Sequence, residues 1–189
     1  MRLFIAIPLS EPTQKALGNL ITVLREVKGV RGTFPRATNL HLTVQFLGDV
    51  PESKIPGLRE KLTNAVQSIP AQEPLVLEQI GTFPNLRNPR VVWVGGIATP
   101  ELKTLSDAVK MACIEAGTPP DDKGFVPHVT IMRIRELFDV KTLQTALMRI
   151  NYAPQTIPIQ QIVLFKSEIT ETGPIYTALA NWVIGERNH

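Results

Sequence analysis

The 189-residue sequence predicts an α+β protein of two lobes, with two antiparallel sheets flanking a central cleft and helices on the outside. Three observations carry that reading. Short β-favouring runs alternate with amphipathic helical runs, yet neighbouring strand candidates join as hairpins, which favours antiparallel sheets over a doubly wound parallel one. No glycine-rich phosphate loop argues otherwise. One four-residue word also occurs twice, His41-Leu42-Thr43-Val44 and His128-Val129-Thr130-Ile131, each inside a strand candidate with a helical run before and after it. That approximate repeat predicts lobes related by a pseudo-twofold, with the words facing each other, and residues 1–189 are read as a single bilobal domain.

Residues 2–7 are the first strand candidate. Ser10-Glu11-Pro12 then supplies a cap and an early proline before Leu17, Leu20, Ile21, Leu24 and Val27 recur at helical spacing up to Gly29. Gly32-Thr33-Phe34-Pro35-Arg36 reads as a turn. Asn39 to Leu47 is the strand of the first word, closed by Gly48-Asp49, and strict alternation puts Leu40, Leu42, Val44 and Phe46 on its buried side. Ser53 to Ile69 is helical through Ile55, Leu58, Leu62, Ala65, Val66 and Ile69, and Pro70 stops it. Residues 74–83 and 91–97 read as a long hairpin around Pro84 to Arg90. Pro100 to Ala116 is the third helix, with Gly117 where a helix C-terminus favours it. Pro119 to Gly124 interrupts regular structure, Phe125 to Arg135 holds the second word, and Val140 to Ile150 is the fourth helix. Residues 156–166 and 175–184 close the chain as a strand pair around Thr170 to Pro174.

Lys and Arg total 20 against 17 acidic residues, a net charge of +3 that leans toward an anionic ligand without requiring one. The single Cys113 forbids an internal disulfide, and its place in an amphipathic run predicts a buried thiol in a reducing compartment. No run approaches the roughly 20 apolar residues that span a bilayer, and Met1 to Ile7 is stopped by Pro8. The expectation is a cytoplasmic protein with no membrane partner.

One His-x-Thr in a strand carries almost no information; two with the same aliphatic filling do. In each word the His and the Thr share a face, so two words together offer two imidazoles that titrate near neutrality and two hydroxyl donors. Such a set suits a phosphate, with one imidazole accepting a proton and the other donating one. Two histidines are too few to close a zinc site, and neither word brings an acid or paired cysteine at ligand spacing, so no metal and no cofactor are expected. The third histidine, His189, is the last residue. Arg133 comes after the second word but falls on the opposite face unless a bulge intervenes. Phe46 is assigned to packing. Phe125 and Tyr176 are candidates for stacking a base, and Arg87 and Arg90 for contacting a nucleic-acid backbone.

The two words, in the settings Asn39-Leu40-His41-Leu42-Thr43-Val44-Gln45-Phe46-Leu47-Gly48 and Phe125-Val126-Pro127-His128-Val129-Thr130-Ile131, together with Gly173-Pro174-Ile175-Tyr176, resemble the 2H phosphoesterase superfamily. Within it they are similar to the RNA 2',3'-cyclic phosphodiesterases first described as 2'-5' RNA ligases. The resemblance implies a bilobal α+β fold with the word strands lining a central cleft, and opening of an RNA 2',3'-cyclic phosphate to a 2'-phosphomonoester. It implies His41 as proton donor to the departing 3'-oxygen, His128 as the base that activates water, and Thr43 and Thr130 as holders of the phosphate oxygens. Arg133, Phe125 and Tyr176 are further substrate-binding candidates. The implied partner is RNA with a 2',3'-cyclic phosphate end, tRNA fragments being one source. Two alternatives stay open: a ligase joining 2',3'-cyclic phosphate and 5'-hydroxyl ends, and a catalytically silent nucleotide- or RNA-binding module.

Overall fold

A computed structural model describes residues 1–121 and 124–185. Outside them lie His189 and, within the expected break at Pro119 to Gly124, Asp122 and Lys123. In chain order the elements are β1 (Arg2–Pro8), α1 (Glu11–Arg25), β2 (Val30–Thr33), β3 (His41–Asp49), α2 (Ile55–Gln67), β4 (Leu75–Leu77), β5 (Gln79–Phe83), β6 (Val91–Gly95), α3 (Pro100–Glu115), β7 (His128–Leu137), α4 (Val140–Arg149), β8 (Gln155–Ile157), β9 (Gln161–Thr170) and β10 (Gly173–Val183). Short 3-10 turns occupy Ala37–Asn39 and Glu52–Lys54.

The strands form two four-stranded sheets, ordered β10-β9-β1-β3 and β2-β7-β6-β5, and a two-stranded β4-β8 ribbon. Every pairing among the described residues is antiparallel. The repeat is visible in the registers: Pro8 pairs with His41 and Ala6 with Thr43, as Gly95 pairs with His128 and Trp93 with Thr130. It stops there, because β3 is an edge strand whereas β7 is flanked by β2 as well as β6. The first sheet joins β1 and β3 to the late strands β9 and β10, and the second joins β2 to β5, β6 and β7.

The helices bury the faces their periodicity predicts. Leu17, Leu20, Ile21 and Leu24 of α1, Leu58, Leu62 and Val66 of α2, and Leu102, Leu105, Val109 and Cys113 of α3 join one connected core with Leu3, Ile5, Ile7, Leu42 and Val129. Burying each such aliphatic side chain contributes about 1.5–3 kcal/mol relative to leaving it in water. Desolvation pushes the Cys113 thiol up to about 12. α2 and α3 pack together, against β10 and β3 respectively, while α1 packs against β7 and β8, so helices cover the outer faces of the sheets.

Four expectations need correction. Gly32 and Thr33 belong to β2 rather than to a turn; a Cβ at Gly32 would stand 2.3 Å from the Arg133 carbonyl oxygen, so only glycine lets this strand close on β7. The run 74–83 divides at Glu78, with Leu75 and Leu77 leaving to pair with β8. The run 156–166 divides at Pro158, which has no N–H to give a ladder. Ser10 stands at the start of α1, but its hydroxyl lies 3.0 Å from that of Thr13 and caps no backbone N–H.

Candidate active site

His41 to Leu47 and His128 to Ile134 have the same burial sequence: half-buried, buried, half-buried, buried, buried, exposed, buried. Two successive buried residues break strand alternation, and the registers show why. On β3, Ala6 pairs with Thr43 and Ile5 with Gln45, passing over Val44; on β7, Trp93 pairs with Thr130 and Val92 with Met132, passing over Ile131. Each is a bulge, two residues opposite one, and each reverses the parity of the residues beyond it. Phe46 therefore leaves the core and is 37% exposed, against the expectation of packing, and Arg133 turns onto the face of His128 and Thr130. Gln45, driven inward, is satisfied by α3: its amide donates to the Ser106 carbonyl at 3.1 Å and to the Ser106 hydroxyl at 3.2 Å.

Both imidazoles are anchored identically. His41 Nδ1 lies 2.7 Å from the Asn39 carbonyl oxygen and His128 Nδ1 lies 2.7 Å from that of Val126, two residues back in each case. A carbonyl can only accept, so each Nδ1 carries a proton and each Nε2 is left for a ligand, as a base when the ring is neutral and a donor when it is charged. Each ring rests among aromatics. Phe4 lies 4.7 Å from His41 and Tyr176 meets it edge-on at 5.3 Å; Phe83 meets His128 edge-on at 4.9 Å, with Trp93 at 6.2 Å.

Both histidines are held below the ordinary imidazole range. Burial is the main cause for each, the carbonyl bond works against it, and the Arg133 guanidinium adds to it; His41 is lowered further by His128. One arginine acting on both rings brings Arg133, His41 and His128 into a common electrostatic site. Burial raises Tyr176, against the opposing influence of Arg133 and Arg2. With both titrations lowered from the ordinary range, both imidazoles are neutral at neutral pH.

Thr43 and Thr130 share the half-buried face of their histidines, and among the described residues neither hydroxyl has a hydrogen-bond partner. Phe125 packs on the core. Arg87 and Arg90 are exposed beside the β5–β6 hairpin. The aromatic bed of Phe4, Phe83 and Trp93 escaped sequence reasoning, because an aromatic in a strand reads equally as core. A signal existed in two glycines within β5 and β6: a Cβ at Gly81 would stand 2.2 Å from the Trp93 ring and one at Gly95 2.9 Å from it, so the indole lies flat only because both are glycine. Among the described residues no group of three or more His, Cys, Asp or Glu could hold a metal ion, and no helix is long and apolar enough to cross a membrane.

Duplicated word strands, mirrored imidazole anchors and a hydroxyl beside each histidine on its own strand define a two-histidine phosphoesterase fold. The chain belongs to the 2'-5' RNA ligase superfamily, whose sequence profile matches residues 13–168, from α1 into β9. It is 32% identical over 179 residues to an RNA 2',3'-cyclic phosphodiesterase of Thermotoga maritima, covering 95% of this chain and 93% of that one. A protein of the same name from Archaeoglobus fulgidus is 31% identical over 182 residues, covering 95% and 98%. Among solved structures, TT0787 of Thermus thermophilus superposes over the full length of both chains with a TM-score of 0.74 at 26% identity. Escherichia coli LigT complexed with 3'-AMP, 24% identical and covering 98% of each chain, shares the fold with a TM-score of 0.74.

Proposed function

We propose that this chain, as one bilobal cytoplasmic domain, hydrolyses the 2',3'-cyclic phosphate end of RNA, tRNA fragments included, to a 2'-phosphomonoester without a metal. The observation that carries the reading is the mirrored anchoring of two histidines, each Nδ1 held by a backbone carbonyl so that each Nε2 is left for a ligand, with one arginine acting on both rings. His128 Nε2 takes a proton from water as the water oxygen bonds to phosphorus, and His41, protonated when the anion binds, gives its Nε2 proton to the departing 3'-oxygen. The P–O3' bond breaks, the 2'-phosphate remains, and the two rings return to their starting states by exchange with solvent. Thr43 and Thr130 donate to the non-bridging oxygens, and Arg133 offsets the phosphate charge. Phe46, with the Arg2 guanidinium 5.4 Å over its ring, and Tyr176 offer aromatic surface to the terminal base.

The deciding experiment incubates the protein with an oligonucleotide ending in a 2',3'-cyclic phosphate and identifies the product end, with and without EDTA. A 2'-phosphomonoester formed at the same rate in chelator is the expected result. Turnover abolished by chelation and restored by zinc or manganese refutes the mechanism. Supplying a 5'-hydroxyl RNA compares ligation with hydrolysis directly, and binding without product identifies a silent binding module.

A further inference from the structure

We infer that Asn39 is a positioning residue for His41, its side chain tying to β10 the peptide whose carbonyl holds the imidazole. Asn39 closes the 3-10 turn before β3, its N–H donating to the Arg36 carbonyl at 2.9 Å. Its own carbonyl accepts from His41 Nδ1 at 2.7 Å, and its side-chain amide donates to the Pro174 carbonyl at 2.8 Å, bridging 135 positions in sequence. Two residues beyond Pro174, Tyr176 lies edge-on against the same imidazole. One amide thus fixes the direction of the carbonyl, through it the Nδ1–H tautomer, and the strand that walls the ring.

Among the described residues no side chain ties the second word in this way. His128 Nδ1 donates the equivalent bond to the carbonyl of Val126, whose side chain is apolar and 45% exposed. Anchors that match at the backbone therefore differ in what secures them: the first is tied to another strand by a side-chain amide, whereas beside the second the Pro127 carbonyl accepts from the Gly96 N–H at 3.3 Å, a backbone contact that owes nothing to a side chain. In the proposed reaction the asymmetry falls on the histidine that must present a proton to one particular oxygen.

A plainer role has to be separated from this one, because Asn39 is not alone in holding the β9–β10 hairpin. Arg36 Nη2 donates to the Thr172 carbonyl at 3.2 Å, so a residue that merely clamps the hairpin would be equivalent to Arg36. Only Asn39 carries the carbonyl that His41 uses. Among the described residues the charged or titratable groups that face His41 are Arg133 and His128 from β7 and Tyr176 from β10, with Phe4 of β1 beneath the ring; substitution of Asn39 keeps Arg133, His128 and Phe4, and frees only the β10 side of the ring.

The positioning stands by itself; its catalytic consequence rests on His41 being the proton donor. The test is imidazole 15N NMR through a pH titration on the full chain, beside steady-state kinetics on the cyclic-phosphate oligonucleotide. In Asn39→Ala the His41 ring is expected to lose its single Nδ1–H tautomer and to titrate lower still, because the carbonyl bond is what raises it, while His128 is unmoved. Turnover is expected to fall about 2- to 10-fold, the worth of one hydrogen bond, with KM within twofold. Asn39→Ser, too short to reach β10, is read in the same way if alanine lowers the folded fraction. Arg36→Gln is expected to leave the His41 spectrum as it was. An unchanged His41 tautomer and titration in the Asn39 variants, or the same change in Arg36→Gln, overturns the inference. A shifted tautomer with undiminished turnover upholds it and refutes instead the assignment of His41 as donor.

Discussion

Replacing Thr43 or Thr130 with valine removes one hydroxyl and keeps the side-chain shape. Because neither hydroxyl is bonded to the protein among the described residues, folding loses no hydrogen bond, and the thermal midpoint should stay within about 2 °C. Catalysis should not be spared. A hydrogen bond between neutral groups is worth about 0.5–1.5 kcal/mol and one to a charged group about 1.5–3 kcal/mol. A bond to an anionic phosphate belongs to the second range, so each substitution should lower kcat/KM about 10- to 100-fold. The bulges sit after the threonines and the two registers match, so the two losses should be comparable and the double variant should approach their product. Kinetics on a 2',3'-cyclic-phosphate oligonucleotide and a thermal melt of each variant read both quantities. Either valine variant retaining kcat/KM within twofold, or melting well below the parent while remaining active, would sink the argument that these hydroxyls are reserved for the ligand.

His41→Ala and His128→Ala should each lower turnover about 100- to 10,000-fold with the fold intact by circular dichroism, and indifference to either loss refutes the paired mechanism. Arg133→Gln should move the bell-shaped pH profile of kcat/KM toward alkaline pH. The sign comes from the guanidinium lowering both histidines: without it both titrations rise, and the proton on the acid survives to higher pH. A profile that loses height but keeps its position argues that Arg133 acts on the substrate alone. Gly81→Ala forces a methyl into the Trp93 ring; overpacking of this kind costs about 1–3 kcal/mol, so the thermal midpoint should drop about 2–12 °C with a change in tryptophan emission, and an unshifted melt contradicts the packing described.

Helix faces were legible in the sequence because a 3.6-residue period is a local property, and Leu17, Leu20, Ile21 and Leu24 occupy the core as their spacing predicts. The two words were legible because they repeat. What sequence could not supply was the parity of the residues after them. A bulge depends on which partner strand a residue is passed over by, so the outward turn of Phe46 and the arrival of Arg133 beside His128 are decided by β1 and β6, far away in sequence. The same holds for sheet membership. Hairpin β5–β6 precedes the second word yet joins its sheet, and hairpin β9–β10 joins that of the first; periodicity identifies a strand but not its neighbour. Asn39 escaped for the related reason that its partner, the Pro174 carbonyl, is a backbone atom that no side-chain pattern marks.

The crossed assembly of the sheets bears on the order in which the molecule becomes whole as it leaves the ribosome. Everything the second sheet needs is present once β7 has emerged. The first is different: β1 can pair with β3 early, but its other edge must wait for β9, and the wall beside His41 waits for β10. Non-local pairings of this span form late, so the nascent chain carries an exposed β1 edge until β9 has emerged, a period in which unpaired edges invite association. The surroundings of His41 are therefore completed after those of His128, once β10 has emerged and Tyr176 can reach the ring.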